Sequence, residues 1–144
     1  MKFIINLPVR PEVLKLLEPH KVYIANDSDP ENFIDELSDS EAFIIRIPLK
    51  KFSAELISRC KKLRVIGRIG TGYDMIDINK ASSLGIPHVI FSPHSASITK
   101  EASFRTAEMC IKGCLAVLNG ERWPYVANKS VYDNWYISAK NAGV

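Results

Sequence analysis

With 144 residues, 47% of them hydrophobic and 24% charged, the chain is sized for one domain that buries about 68–70% of the surface its unfolded form would expose. The net charge of +3 comes from basic residues scattered except at Lys50-Lys51 and Lys61-Lys62-Arg64, with no aromatic interleaving, which excludes a nucleic-acid surface. No apolar run approaches the ~20 residues that cross a bilayer, and three cysteines (Cys60, Cys110, Cys114) without a C-x-x-C exclude a disulfide framework or zinc ribbon and fit a reducing cytoplasm.

The opening MKFIINLPV is too short for a signal-peptide core and lacks a small-residue cleavage site, so residues 3–7 read as a first strand. Pro8 closes it, and Pro11 opens a helix over 12–17, where its missing N–H costs nothing. A second short strand at 22–25 leads to Asp27-Ser28-Asp29-Pro30-Glu31. There Asp29 is the expected N-cap, Pro30 the first helical residue and Glu31 a favourable first-turn acid. Phe33, Ile34 and Leu37 give that helix its buried stripe.

The run AFIIRI at 42–47 predicts a strand buried on both faces, with Arg46 at its C-terminal end and Pro48 as its stop. Ser53 caps a helix to about residue 60, and a fourth strand follows over 63–69. Asp77 caps the next helix, which Gly85 ends in the left-handed conformation, and a fifth strand spans 87–91. A long helix from about residue 99 to 118 stops at Gly120, and Cys110 and Cys114, one turn apart in it, belong to the core. The remaining segment is aromatic-rich (Trp123, Tyr125, Tyr132, Tyr136) and is expected to dock at least in part.

Strand and helix alternating five times, with no repeat and no linker, predict a single flavodoxin-like doubly wound α/β domain over 1–144. Its sheet is five-stranded and parallel, of order 2-1-3-4-5. In such sheets ligands sit beyond the carboxyl ends of the strands, here the loop after Leu7, residues 46–50, 70–73 and 92–94.

Residues at that edge exclude two occupations of the fold. A phosphorelay receiver needs acids after the first strand and an aspartate ending the third, where this chain has Asn6-Leu7-Pro8 and Arg46. A flavodoxin needs a hydroxyl-rich phosphate loop after the first strand, which Leu7-Pro8-Val9-Arg10-Pro11 does not supply. The glycines Gly67, Gly70 and Gly72 run G-x-x-G-x-G, not the G-x-G-x-x-G of a dinucleotide fingerprint.

What remains suits a small carboxylate. N–H groups of Gly70, Thr71 and Gly72 would form an anion-binding concavity with Arg46 nearby, although the same glycines also serve a plain tight βα turn. His94 has the chemistry of a general acid or base, or is simply a loop residue. His20 and His88 have no acid or cysteine at ligand spacing, so no metal site is expected.

The stretch LRVIGRIGTGYDMID at 63–77, followed by Ala81 and Gly85-Ile86-Pro87, closely resembles the D-isomer-specific 2-hydroxyacid dehydrogenases, which include phosphoglycerate and glycerate/hydroxypyruvate enzymes. Ser92-Pro93-His94, Thr99-Lys100-Glu101-Ala102 and Gly120-Glu121 with Val126 and Asn128 resemble that family's C-terminal return. The two blocks in this order cover nearly the whole chain.

The resemblance implies a substrate-binding domain in which amides around Thr71 and Gly72 hold the substrate carboxylate, Arg46 and Ile47 line the cleft, and His94 is the general acid–base. In the family a NAD-binding Rossmann domain separates the two blocks, whereas here Phe91 runs into Ser92. The expectation is therefore a first segment 1–91 and a return segment 92–144 with that domain missing at the junction. The glutamate that pairs with the histidine and the arginine that grips the substrate would be missing with it, and neither Glu101 nor Glu108 matches that glutamate.

Such a chain is expected to bind no NAD, to be inactive alone and to bind 2-hydroxy or 2-oxo acids weakly. An alternative is a flavodoxin-like interaction or ligand-sensing module derived from such an enzyme. Met109, Ile111, Leu115, Val117 and Leu118 point in nearly every direction around the last helix, so one sheet covers them only if the tail helps. Self-association through the face left bare is the expectation on that reading.

Overall fold

The computed structural model of the chain describes residues 1–46, 48–70, 72–91 and 99–133. Five parallel strands, β1 (Lys2–Ile5), β2 (Lys21–Ile24), β3 (Ala42–Ile45), β4 (Val65–Ile69) and β5 (His88–Phe91), form one sheet in the order β2-β1-β3-β4-β5. This is the expected flavodoxin-like order. Because the strands are parallel and covered on both faces, β3 is buried at every position.

Period-two alternation divides the core into two layers. Phe3, Ile5, Ala42, Ile44, Val65 and Val89 pack with α1 (Pro11–Lys15) and α5 (Lys100–Leu118), while Ile4, Phe43, Ile45 and Ile66 pack on the other face. That second face carries α2 (Ile34–Ser38), α3 (Ala54–Arg59) and α4 (Ile78–Ser83). The helices begin where the sequence predicts. Ser53, Asp77 and Thr99 accept hydrogen bonds from the backbone N–H of Leu56, Lys80 and Ala102 at 3.3, 2.8 and 3.1 Å. Asp29 caps as expected, but the turn it opens (Pro30–Phe33) is 3-10 before α2 begins. Gly85 and Gly120 close α4 and α5 at φ +70° and +87°.

The tail does help to cover α5. Trp123 packs on the same core layer, Val131 and Tyr132 are buried in it, and Ile111, Val117 and Leu118 are buried while Met109 and Leu115 stay half-exposed. Close packing is enforced by Gly67, where a Cβ would lie 2.5 Å from Cys114 Sγ and 2.9 Å from Cys110 Sγ. Both cysteines are buried, as the sequence predicts.

The free edge of β5 is closed by the return segment. Val126 bridges Val89 antiparallel, Ala127 donates to the His88 carbonyl at 2.9 Å, and buried Asn128 reaches three further groups. Its Oδ1 accepts from the His88 N–H at 2.8 Å, and its Nδ2 donates to the Ile86 carbonyl at 2.9 Å and to Ser82 Oγ at 3.1 Å.

Candidate functional site

Successive strands leave β1 toward opposite sides of the sheet, α1 on one face and α3 (after β3) on the other, so the crevice of this topology opens between the ends of β1 and β3. Asn6 and Arg46 stand there. The predicted strands 3–7 and 42–47 end early, at Ile5 and Ile45, because beyond Ile5 the ladder is continued by a side chain. Asn6 is fully buried, its Oδ1 accepts from the Arg46 N–H at 2.7 Å, and its Nδ2 donates to the carbonyls of Arg46 at 2.7 Å and Pro48 at 3.3 Å.

Register brings the next element alongside: Ile45 pairs with Arg68, so Arg46 and Ile69 follow as neighbours at the sheet edge. Both line a cleft of about 70 Å³ with Val9, Arg10, Ser103 and Phe104. The Arg46 guanidinium crosses it to the Pro8 carbonyl. Among the described residues, two arginines and no carboxylate contribute to the lining. Glu101 and Glu108 instead border a wider outer groove of about 490 Å³, where Glu108 pairs with Lys112 at 2.9 Å.

The glycine loop is organised by a residue that the sequence reading passed over. Arg68 is 6% exposed inside β4, and its Nε donates to the Gly72 carbonyl at 2.7 Å while its Nη1 donates to the Ile69 carbonyl. In a trans peptide the N–H opposes its own carbonyl, so the N–H groups of Gly70 and Tyr73 point away from the guanidinium. Gly70 is required there: its φ is +127°, and a Cβ would meet the Arg68 Nη1 at 2.7 Å. Gly72 is exposed and a Cβ on it would meet nothing within 4 Å, so its value lies in its carbonyl rather than in a close approach. The one available signal for Arg68 was a charge inside an otherwise apolar strand, which a buried position must satisfy.

Burial pushes the Arg68 pKa down. Beneath the loop, His88 is fully buried, with Tyr73 edge-on at 5.5 Å and neither ring nitrogen hydrogen-bonded among the described residues. Burial first, then the Arg68 charge, pulls its pKa down to about 3, so it is neutral near pH 7. Among the described residues no group of three or more His, Cys, Asp and Glu is placed to hold a metal ion.

Of the residues predicted for the site, Arg46 lines the cleft with Ile69, the residue before Gly70, while Gly70 and Gly72 are not among its described lining residues. Ile47, Thr71 and His94 lie outside the described residues. The glycine stretch does not fit a dinucleotide pyrophosphate. Gly67 faces the sulfurs of α5, and the short helix beyond the loop begins on the Asp77 carboxylate, which already occupies its N-terminal amide.

A sequence model described as the D-isomer specific 2-hydroxyacid dehydrogenase catalytic domain matches residues 3–128. The chain is 33% identical over 118 residues to the D-3-phosphoglycerate dehydrogenase of Archaeoglobus fulgidus, covering 81% of this chain and 21% of that protein. It is 30% identical over 100 residues to the D-3-phosphoglycerate dehydrogenase of Methanocaldococcus jannaschii, covering 69% of this chain and 19% of that one. The chain thus spans about a fifth of the length of these relatives. Among solved structures, the PH0520 protein of Pyrococcus horikoshii OT3 superposes with a TM-score of 0.58 at 26% identity, covering 63% of this chain and 27% of that one. A cofactor(NAD+)-bound 3-phosphoglycerate dehydrogenase of Entamoeba histolytica superposes with a TM-score of 0.53 at 26% identity, covering 62% of this chain and 32% of that one.

Proposed function

Since the chain belongs to the D-isomer specific 2-hydroxyacid dehydrogenase family, we propose that these 144 residues act as the substrate-binding half of such an enzyme, a weak binder of small 2-hydroxy or 2-oxo carboxylates. The observation that carries this reading is the cleft at the strand ends, lined among the described residues by Arg10 and Arg46 and by no acid, with Ile69 in its wall and the Ile69 and Gly72 carbonyls held by Arg68. A carboxylate entering there meets positive charge and backbone N–H groups, as anion sites at strand ends require. Arg46, Ile47, Gly70, Thr71 and Gly72 are assigned to substrate binding, and His94 to proton transfer.

Hydride transfer needs a nicotinamide held against the substrate carbon, which calls for a dinucleotide site that the glycine stretch does not offer. We therefore assign these residues binding without turnover on their own. Oxalate added to the 15N-labelled chain should shift Arg46, Gly70 and Gly72, with NADH then adding nothing. Uniform or absent oxalate shifts would refute the carboxylate site, and localised NADH shifts would refute the claim about the cofactor.

A further inference from the structure

We infer that Asn6 is the positioning residue of this site, resting on the carboxylate-binding reading above for the ligand but not for the positioning itself. It stands at the switch point, where β1 and β3 must separate because their chains depart to opposite faces of the sheet. Separation would leave the N–H and C=O of Arg46 without a strand partner beside the fully buried Asn6. The Asn6 side-chain amide takes both at 2.7 Å, acting as one more peptide of the ladder after the β1 backbone has turned away. Its second N–H reaches the Pro48 carbonyl at 3.3 Å, so it holds the chain on both sides of residue 47.

The Asn6 main chain is committed too. Its N–H donates to Ile44 at 3.4 Å and its carbonyl accepts from Asp27 at 2.9 Å, so the amide has a fixed base. The result is a defined exit direction for Arg46, whose guanidinium then spans the cleft to Pro8.

An amide is required for this, because the site asks one side chain to accept once and donate twice. Aspartate has the same shape but, when ionised, only accepts. In N6D a carboxylate oxygen would face the carbonyls of Arg46 and Pro48, and one of those two contacts would re-form only when that oxygen takes a proton. A residue holding up the fold in general would instead lower stability without a pH-dependent local effect.

The test is 15N spectroscopy and amide exchange on the full chain, wild type and N6D, from pH 7 to pH 5.5, first without ligand and then with oxalate. Without ligand, the Arg46 and Leu49 amides of N6D should shift and exchange at least about tenfold faster at pH 7. They should return toward wild type at pH 5.5, while Gly70 and Gly72 stay in place. Unchanged Arg46 exchange at pH 7, or an equal change throughout the sheet, overturns the inference whatever the ligand does. With oxalate, wild type should bind at least about tenfold more tightly than N6D at pH 7, with the gap narrowing at pH 5.5. If wild type gives no oxalate shifts, the carboxylate reading fails, and the ligand-free exchange still decides the role of Asn6.

Discussion

Lowering the pH should destabilise this fold through one side chain. His88 ordinarily takes a proton near 6.5, but buried beside Arg68 it does so only at about 3. The folded state therefore binds fewer protons than the unfolded chain over that interval. Stability is full above pH 6.5 and falls as pH drops through it, at about 1.36 kcal/mol per unit, until the folded protein protonates as well. Between pH 7.5 and 4.5 the cost is about 2.7 kcal/mol, a large share of the roughly 5–15 kcal/mol that holds a domain together. Urea unfolding of wild type and H88V at half-unit steps from pH 7.5 to 4.5 measures it. His20 and His94 are present in both proteins, so the difference between the two pH profiles belongs to His88. Wild type should lose about 2.7 kcal/mol more than the valine variant over this range. Parallel profiles would refute the reasoning, since they would mean that the imidazole is hydrated or partnered in the folded state.

R68M should free the Ile69 and Gly72 carbonyls, broadening the Gly70 and Gly72 signals and weakening oxalate binding at least about tenfold. Thermal unfolding should change little, because a buried guanidinium's desolvation cost leaves with it. N128A should leave the His88 N–H and Ile86 carbonyl unpaired at the sheet edge and cost about 2–3 kcal/mol in urea, with faster exchange of the His88 amide as its local signature. G67A pushes a methyl group into the Cys110 and Cys114 sulfurs and should cost about 1–3 kcal/mol. Pairing it with C114A should recover part of that, which a double-mutant cycle of melting curves reads directly.

Much of this molecule was legible without its fold, because the signals were local. Proline at the first turn of α1, the Ser53, Asp77 and Thr99 caps and the closing Gly85 and Gly120 are decided within a few residues of chain. Alternation of apolar runs with helical patterns set the parallel sheet and its order, and the motif blocks around Gly70 pointed to the family. At the site, Arg46 was visible as a charge ending an apolar strand.

What only the tertiary structure decided is which buried polar groups meet. Asn6 reads locally as one more residue of the strand predicted over 3–7, and its partner lies 40 positions away. Arg68 reads locally as one charge in an apolar run, and only the folded loop brings the Ile69 and Gly72 carbonyls onto it. His88 has no metal partners in sequence, and its depressed pKa comes first from burial and then from the Arg68 charge, both set by the fold. The physical reason is common to all three. Sequence period tells which face a side chain takes, but the cost of burying a polar group depends on partners brought together by topology.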